Sequence, residues 1–100
     1  MREAQLQRML RERLKKLGIE TRKVQWVGCR GAPDLLVLWR GGHELVEVKT
    51  QGGKLTPLQR REHEILRAGG FHVHTIYGEF GVKLYLEAAQ LSGRGGAAPR

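Results

Sequence analysis

Two acidic residues and a lysine stand at spacings that a short β-hairpin would turn into one site. Asp34 follows Pro33, and Glu47 lies thirteen positions later, with Lys49 two residues beyond it and a Gly-rich turn at 40–42 between the two runs. Side chains on a strand alternate between its faces, so Glu47 and Lys49 are expected to point the same way. A short turn folds the two runs into a hairpin and returns Asp34 to the side of Glu47.

The chemistry that this cluster favours is hydrolysis of a phosphodiester bond. Two neighbouring carboxylates repel each other unless a cation lies between them, and a divalent metal ion commonly fills that role. An adjacent lysine can orient a water molecule or stabilise the negative charge that develops during the reaction. Pro-Asp is also a common turn pair, but the register of Asp34 with Glu47 and Lys49 favours the metal site.

The composition describes one soluble domain with a strong positive charge. The chain has 100 residues, of which 40% are hydrophobic and 28% charged, and its net charge is +8. This balance is expected of a protein that binds a polyanion such as nucleic acid. No run approaches the roughly 20 apolar residues of a membrane-spanning helix, and the first residues lack the apolar core of a signal peptide. The single cysteine, Cys29, suits a reducing compartment, so we expect a cytoplasmic protein without a membrane partner.

Helical signals occur at two places before residue 70, and a brief helical piece is predicted after the last strand, through Leu91. Residues 2–17 carry leucines at helical spacing and stop at Gly18, a typical C-terminal signal. Thr56 and Pro57 predict the start of a second helix that runs to about Ala68. We expect its buried face to contain Leu58, Ile65 and Leu66.

Strand signals lie between and after the helices. Strands are predicted within 19–27, over 34–39, up to Lys49, over 71–77 and, as a short last strand, over 82–86. This order predicts an α/β fold in which helices flank a mixed central sheet. We expect a single domain at 1–91 and a disordered basic tail at 92–100.

Two polar side chains in the predicted helices allow more than one interpretation. Glu3 projects near the middle of the leucine face, where a carboxylate must be paired or bind a metal, but an acid in the first turn also suits the helix dipole. Gln59 completes a T-x-x-Q capping box with Thr56, which is a sufficient structural reason for its presence. Position alone leaves both questions open.

The motifs together resemble those of the virus-type replication-repair nuclease (VRR-NUC) domain, a branch of the PD-(D/E)xK nuclease superfamily. The resemblance is carried, in order, by Gly31-Ala32-Pro33-Asp34, Glu47-Val48-Lys49 and Leu55-Thr56-Pro57-Leu58-Gln59, and it covers most of residues 1–88. It implies a restriction-endonuclease-like αβββαβ core. It also implies an endodeoxyribonuclease that depends on Mg²⁺ or Mn²⁺.

The resemblance further implies a metal-binding set. Asp34 and Glu47 would hold one or two Mg²⁺ or Mn²⁺ ions. Glu3, on the first helix, would assist, and the carbonyl of Val48 would be a further ligand.

Catalytic and DNA-binding roles are implied in the same way. Beside the two metal-binding acids, Lys49 would position the attacking water or offset charge in the transition state, and Gln59 would lie near the active site. The basic residues that we predict to contact DNA are Lys23, Arg30, Lys54, Arg60 and Arg61. A solvated strand edge or helix face would contain the same kinds of side chain.

The expected partner is DNA, with a four-way (Holliday) junction as the favoured branched substrate in a bacterium or a phage-infected cell. Proteins of this family and size resemble dimeric junction-resolving enzymes, and a homodimer would supply two cleavage centres that match the symmetry of a junction. Trp26, Trp39 and Met9 offer apolar surface for such a contact. The alternatives are a non-catalytic basic DNA-binding module, which leaves the converging acids unexplained, and a protein–protein adaptor, which also leaves the charge unexplained.

Overall fold

A computed structural model describes residues 1–94. Leucines at helical spacing form the first helix, α1, over Glu3–Lys16. Leu6, Leu10 and Leu14 are fully buried because they recur every four residues on one face. The chain turns away from the helix at Gly18, whose φ of 82° lies in the left-handed region that favours glycine.

The sheet is mixed, as the sequence predicted, and it consists of four strands. They are β1 (Glu20–Lys23), β2 (Leu35–Trp39), β3 (Gly42–Lys49) and β4 (Val73–Tyr77). They lie in the order β1-β2-β3-β4, with β1–β2 and β2–β3 antiparallel and β3–β4 parallel. The second helix, α2 (Pro57–Ala68), forms the crossover that two neighbouring parallel strands require.

Strand β3 has two different faces, and this alternation separates the core from the candidate site. Val46 and Val48 belong to the hydrophobic core, which also contains buried residues of α1 and of the last helix. Glu47 and Lys49 point to the opposite face, where side chains of α2 contact them. Six of its eight residues are buried, with Leu45 on the face of Glu47 and Lys49, and with Glu44 on the face of the two valines.

The prediction of a last strand over 82–86 is wrong, because those residues belong to a third helix, α3 (Gly78–Leu91). Val82, Tyr85 and Ala89 are its buried residues together with Gly78. Their spacing is that of a helix face, whereas the local alternation of apolar and polar residues at 82–86 is typical of a strand. The resulting order α1-β1-β2-β3-α2-β4 is the predicted αβββαβ core, with α3 added.

The first strand is shorter than its apolar residues indicated. It ends at Lys23, so Trp26 and Val27 lie in the loop that leads to β2. Trp26 Nε1 donates a hydrogen bond of 2.6 Å to the carbonyl of Pro33 and so ties this loop together. Val27 is exposed.

Part of the segment predicted to be disordered is held against the sheet. Arg94 Nη1 lies 3.3 Å from Glu44 Oε2, and its guanidinium carbon lies 4.1 Å from the centroid of the Trp39 ring. Tyr85 also donates a hydrogen bond to Glu44. Residues 95–100 of the predicted tail lie outside the described residues, and within 1–94 no helix is long and apolar enough to cross a membrane.

Candidate active site

The β2–β3 hairpin places Asp34 beside Glu47. Leu35 pairs with Val46 in the antiparallel register, so the next positions along, Asp34 and Glu47, lie opposite each other where β2 begins. The Asp34 carbonyl accepts a hydrogen bond of 2.8 Å from the N–H of Val24, which keeps its backbone in line with the sheet. The structure therefore brings together the two acids that the sequence predicted to meet.

The loop before Asp34 passes very close to the start of α2. Gly31 has a φ of 86°, and a Cβ at this position would lie 3.0 Å from the carbonyl oxygen of Leu58. Both the left-handed backbone and the close approach require glycine. This contact fixes the distance of the loop from α2, and hence the position of Asp34 relative to that helix.

Glu47 is a buried carboxylate among other charges. The residue is only 8% exposed. Burial first, and then repulsion from Asp34, raise the pKa of Glu47 to about 7, against the opposing effect of Lys49. Glu3 adds a further repulsion. Ionised Glu47 therefore needs positive charge nearby, which one lysine supplies only in part.

Lys49 is held between two helices. Its side chain is 10% exposed, and its Nζ lies 3.6 Å from Glu3 Oε2 on α1. The same Nζ donates a hydrogen bond of 3.3 Å to Gln59 Oε1 on α2. Glu3 is an exposed acid in the first turn of its helix and also reaches the cluster, so both interpretations of its position describe part of what it does.

Asp34 lies at the open side of the cluster. Its carboxylate accepts a hydrogen bond of 3.0 Å from Gln7 Nε2 and pairs with Lys23 Nζ at 3.2 Å. Its side chain is 51% exposed. Asp34 is therefore accessible to a ligand from solvent, whereas Glu47 is reached only through the cluster.

Gln59 is a helix cap and a site residue at once. Thr56 Oγ1 accepts a hydrogen bond of 3.1 Å from Gln59 N–H, and Gln59 Oε1 accepts one of 2.9 Å from Thr56 N–H. These two bonds complete the predicted capping box. The same Oε1 also accepts the bond from Lys49, so the two interpretations of Gln59 do not exclude each other.

Sequence reasoning missed His63, which lies directly behind Glu47. Its Nε2 is 3.3 Å from Glu47 Oε1, and the residue is completely buried. The prediction that Leu58 and Ile65 form the buried face of α2 is wrong, because these residues are 45% and 50% exposed. The face that meets β3 instead carries Gln59 and His63, four residues apart. That i, i+4 spacing is the signal by which His63 could have been found.

The donor set fits a hard divalent cation. Asp34 and Glu47 offer only carboxylate oxygens, the ligands that Mg²⁺ and Mn²⁺ prefer. Among residues 1–94, no three His, Cys, Asp or Glu side chains lie close enough together to hold a metal ion. Glu3 and Asp34 are paired with lysine ammonium groups instead. Binding of a cation would therefore exchange these amines for metal at the same carboxylates, and it would also relieve the repulsion that acts on ionised Glu47.

The basic residues predicted to contact DNA all lie at the surface. Lys23, Arg30, Lys54, Arg60 and Arg61 are exposed. Lys23 lines a groove of about 550 Å³ between α1 and β1 and a recess of about 490 Å³ that Asp34 also lines. The other basic residues of the groove are Arg8, Arg11, Lys15 and Arg22. The two cavities therefore meet at Lys23, beside Asp34, and the groove extends the positive surface onto α1.

Two solved structures are similar to this chain. A solved structure of a VRR-NUC domain is 40% identical to this chain, with a TM-score of 0.76, and the match covers 85% of this chain and 94% of the other. The fold is also similar to that of Hjc, a Holliday junction resolvase from the archaeal hyperthermophile Archaeoglobus fulgidus. That match has 18% identity and a TM-score of 0.58, covers 75% of this chain and 67% of the other, and shows the fold alone. No curated protein matches the chain.

A family model settles the relationship. The model of the VRR-NUC domain matches residues 2–80, a range that begins just before Glu3 and extends past Gln59. The matched range contains the hairpin, the two acids and both helices that contact the cluster. The chain belongs to the VRR-NUC domain family.

Proposed function

We propose that this protein is a metal-dependent DNA endonuclease whose active site is the Asp34–Glu47–Lys49 cluster. The observation that carries the proposal is the register of the hairpin, which sets Asp34 opposite Glu47 and directs Lys49 to the same face as Glu47. Membership of a nuclease family supports it, since nucleases of this kind generally use divalent metals. Mg²⁺ and Mn²⁺ are the ions that the oxygen donors favour.

The residues divide the work in a way that follows from their positions. Asp34 and Glu47 would bind the cation, with Glu3 and the Val48 carbonyl as additional ligands. A bound divalent ion supplies hydroxide near neutral pH and stabilises the leaving oxygen. Lys49, anchored by Gln59, would direct its positive charge towards the phosphate or the attacking water.

A non-catalytic DNA-binding module is the competing function. The net charge of +8 and the groove between α1 and β1 support binding to a polyanion equally well under both hypotheses. The buried Glu47 distinguishes them, because an acid that is buried beside Asp34 is costly to ionise and contributes nothing to DNA binding, whereas a metal site requires it. A module of this kind would bind DNA without regard to Mg²⁺.

The decisive experiment compares cleavage and binding in one pair of variants. Asp34→Asn removes a proposed metal ligand, so cleavage with Mg²⁺ or Mn²⁺ should fall by at least a hundredfold while DNA affinity stays equal or rises. Glu87→Gln makes the same change of charge at an exposed position on α3 and should cleave like the wild type. Wild-type cleavage that persists in excess EDTA, or an Asp34→Asn variant with full activity, would disprove the assignment.

We further propose that the substrate is branched DNA and that two copies act together. Trp26, Trp39 and Met9 offer little surface for pairing, because the first two contact Pro33 and Arg94 and Met9 packs on the core. More exposed apolar side chains occur on one stripe of α3, at Phe80, Leu84 and Leu91. This stripe supports a contact between copies, and the resolvase activity of a protein with the same fold supports the choice of a junction.

Light scattering combined with a substrate panel tests this finer proposal. We expect a dimer in solution and cleavage of four-way junctions in preference to single strands, flaps and linear duplexes. Leu84→Glu should shift the protein towards monomer and reduce junction cleavage. A monomeric wild type that cleaves flaps and spares junctions would contradict the finer proposal and leave the nuclease assignment intact.

A further inference from the structure

His63 is the one fully buried side chain of α2, a helix that the structure describes completely. Its exposure is 0%, and its Nε2 lies 3.3 Å from Glu47 Oε1. Histidine rarely serves as a simple core filler, because each ring nitrogen needs a polar partner when it is buried. The partner of Nε2 is the same carboxylate that the proposed site requires.

The other ring nitrogen indicates which form of the ring is present. Nδ1 is buried and has no hydrogen-bond partner among residues 1–94. With Glu47 ionised, Nε2 must carry the proton that it donates, and a neutral ring then leaves Nδ1 as a bare acceptor. A doubly protonated ring would instead bury an unpaired N–H donor, which is the more costly arrangement. When Glu47 is ionised, as metal binding requires, the contact is therefore a hydrogen bond from Nε2–H of His63 to the Glu47 carboxylate.

We propose that His63 is a positioning residue that orients the Glu47 carboxylate for metal binding; this inference rests on the proposed function. A hydrogen bond to Oε1 fixes the rotation of the carboxylate about its last bond and thereby decides where the second oxygen is directed. Hydrogen bonds from outside the ligand set commonly orient metal-binding carboxylates in this way. His63 itself would not touch metal or substrate.

The spacing of the two elements shows why one helix can serve two site residues. Four residues of α-helix advance about 6 Å, and two residues of strand advance about 6.7 Å. Gln59 and His63 on α2 therefore match Lys49 and Glu47 on β3, and each helix residue contacts one strand residue. The helix holds the ammonium and the carboxylate of the cluster at a set separation.

The test uses three substitutions of His63 and Mn²⁺ as the probe. His63→Leu fills similar space without a donor, whereas the amide nitrogen of His63→Gln can replace Nε2. Calorimetry should show Mn²⁺ affinity weakened by roughly tenfold to a hundredfold in the leucine variant and largely restored in the glutamine variant. Melting temperatures in EDTA measure the packing effect separately. His72→Leu, at an exposed histidine before β4, is the matched control and should bind Mn²⁺ like the wild type.

Each outcome decides the matter. If the leucine variant does not fold, His63→Asn takes its place. Its side chain keeps an amide but is too short to reach Glu47. Weaker Mn²⁺ binding by the asparagine variant than by the glutamine variant supports the proposal. Equal Mn²⁺ affinity in the wild type and in all folded variants overturns the positioning role and leaves the nuclease assignment standing. A wild type that neither binds Mn²⁺ nor cleaves DNA overturns both.

Discussion

The position of Glu47 makes its ionised form unfavourable. Its folded-state pKa is about 7, against 4.5 for a free side chain, because burial and neighbouring acids disfavour the charged form. The unfolded chain therefore loses this proton at lower pH than the folded protein does. The contribution of Glu47 to stability is fully present below pH 4.5 and is lost as the pH rises through 7.

A pH-dependent stability difference follows for Glu47→Gln. Glutamine imitates the protonated side chain, so in EDTA the variant should match the wild type near pH 4.5 and exceed it at pH 8. The excess should be on the order of 3 kcal/mol in the free energy of unfolding, since each pKa unit corresponds to about 1.4 kcal/mol. Denaturant titrations at the two pH values measure it. Glu87→Gln is the control, and an excess that is equal at both pH values would show that the raised pKa of Glu47 is not its cause.

The positions of some site residues could be predicted from the sequence, and those of others could not. The positions of Asp34, Glu47 and Lys49 follow from the period of a strand and the length of a turn, so local rules suffice. His63 needed knowledge of which side of α2 meets the sheet. The helix carries leucine and isoleucine side chains that it leaves half exposed, and hydrophobicity therefore indicated the wrong face.

At the scale of elements, the hairpin and α2 are joined at one tight contact. Gly31 and Gly28 both have left-handed backbones, with φ of 86° and 88°. A Cβ at Gly31 would meet the backbone of Leu58, whereas a Cβ at Gly28 would meet nothing within 4 Å. Both glycines thus have the same left-handed backbone, but only Gly31 has close neighbours at its Cβ position.

Substituting each glycine by alanine separates these effects. Gly28→Ala should lose about 1 to 2 kcal/mol through backbone strain alone and keep its cleavage rate. Gly31→Ala should lose more stability and most of its cleavage rate, because the loop that carries Asp34 must move away from α2. Thermal melts and cleavage assays on both variants check this. Equal losses in the two variants would show that the contact with Leu58 does not position the site.

The elements themselves were largely predictable, with one instructive exception. Thr56 and Pro57 start α2 where the capping signals placed it, and Gly18 ends the turn after α1. The helix α3 was mistaken in part for a strand, because five residues of alternating character look alike in both structures. The helix places Val82 and Tyr85 in the core, where they pack with residues that are distant in the sequence. Local sequence rules do not include such contacts.

At the scale of the whole molecule, the positive charge is arranged around the site. The groove between α1 and β1 adds Arg8 and Lys15 to a surface that reaches Asp34 through Lys23. Cations along such a groove neutralise phosphates and release counterions, which makes DNA affinity depend on salt. The sequence showed the net charge but not its distribution, since that depends on the side of α1 that faces β1.

The salt dependence of binding tests whether DNA follows this groove. In an Asp34→Asn background, the double change Arg8→Gln and Lys15→Gln should lower duplex affinity and reduce the slope of log K against log salt by about 1.8, or roughly 0.9 for each lost phosphate contact. The matched control, Arg40→Gln with Lys83→Gln, removes the same charge at the hairpin turn and on α3. Equal slopes in the two double variants would place the DNA elsewhere.

The alternation of β3 has a consequence for errors in folding. If the hairpin slipped by one residue, every side chain of β3 would change sides, so that Glu47 and Lys49 would enter the core while Val46 and Val48 would face α2. Such a molecule could not bury its apolar surface and would be lost to unfolding or proteolysis. Misaligned sites are thus discarded together with misfolded chains. The alternation of the strand therefore couples correct folding to the correct alignment of Asp34 with Glu47.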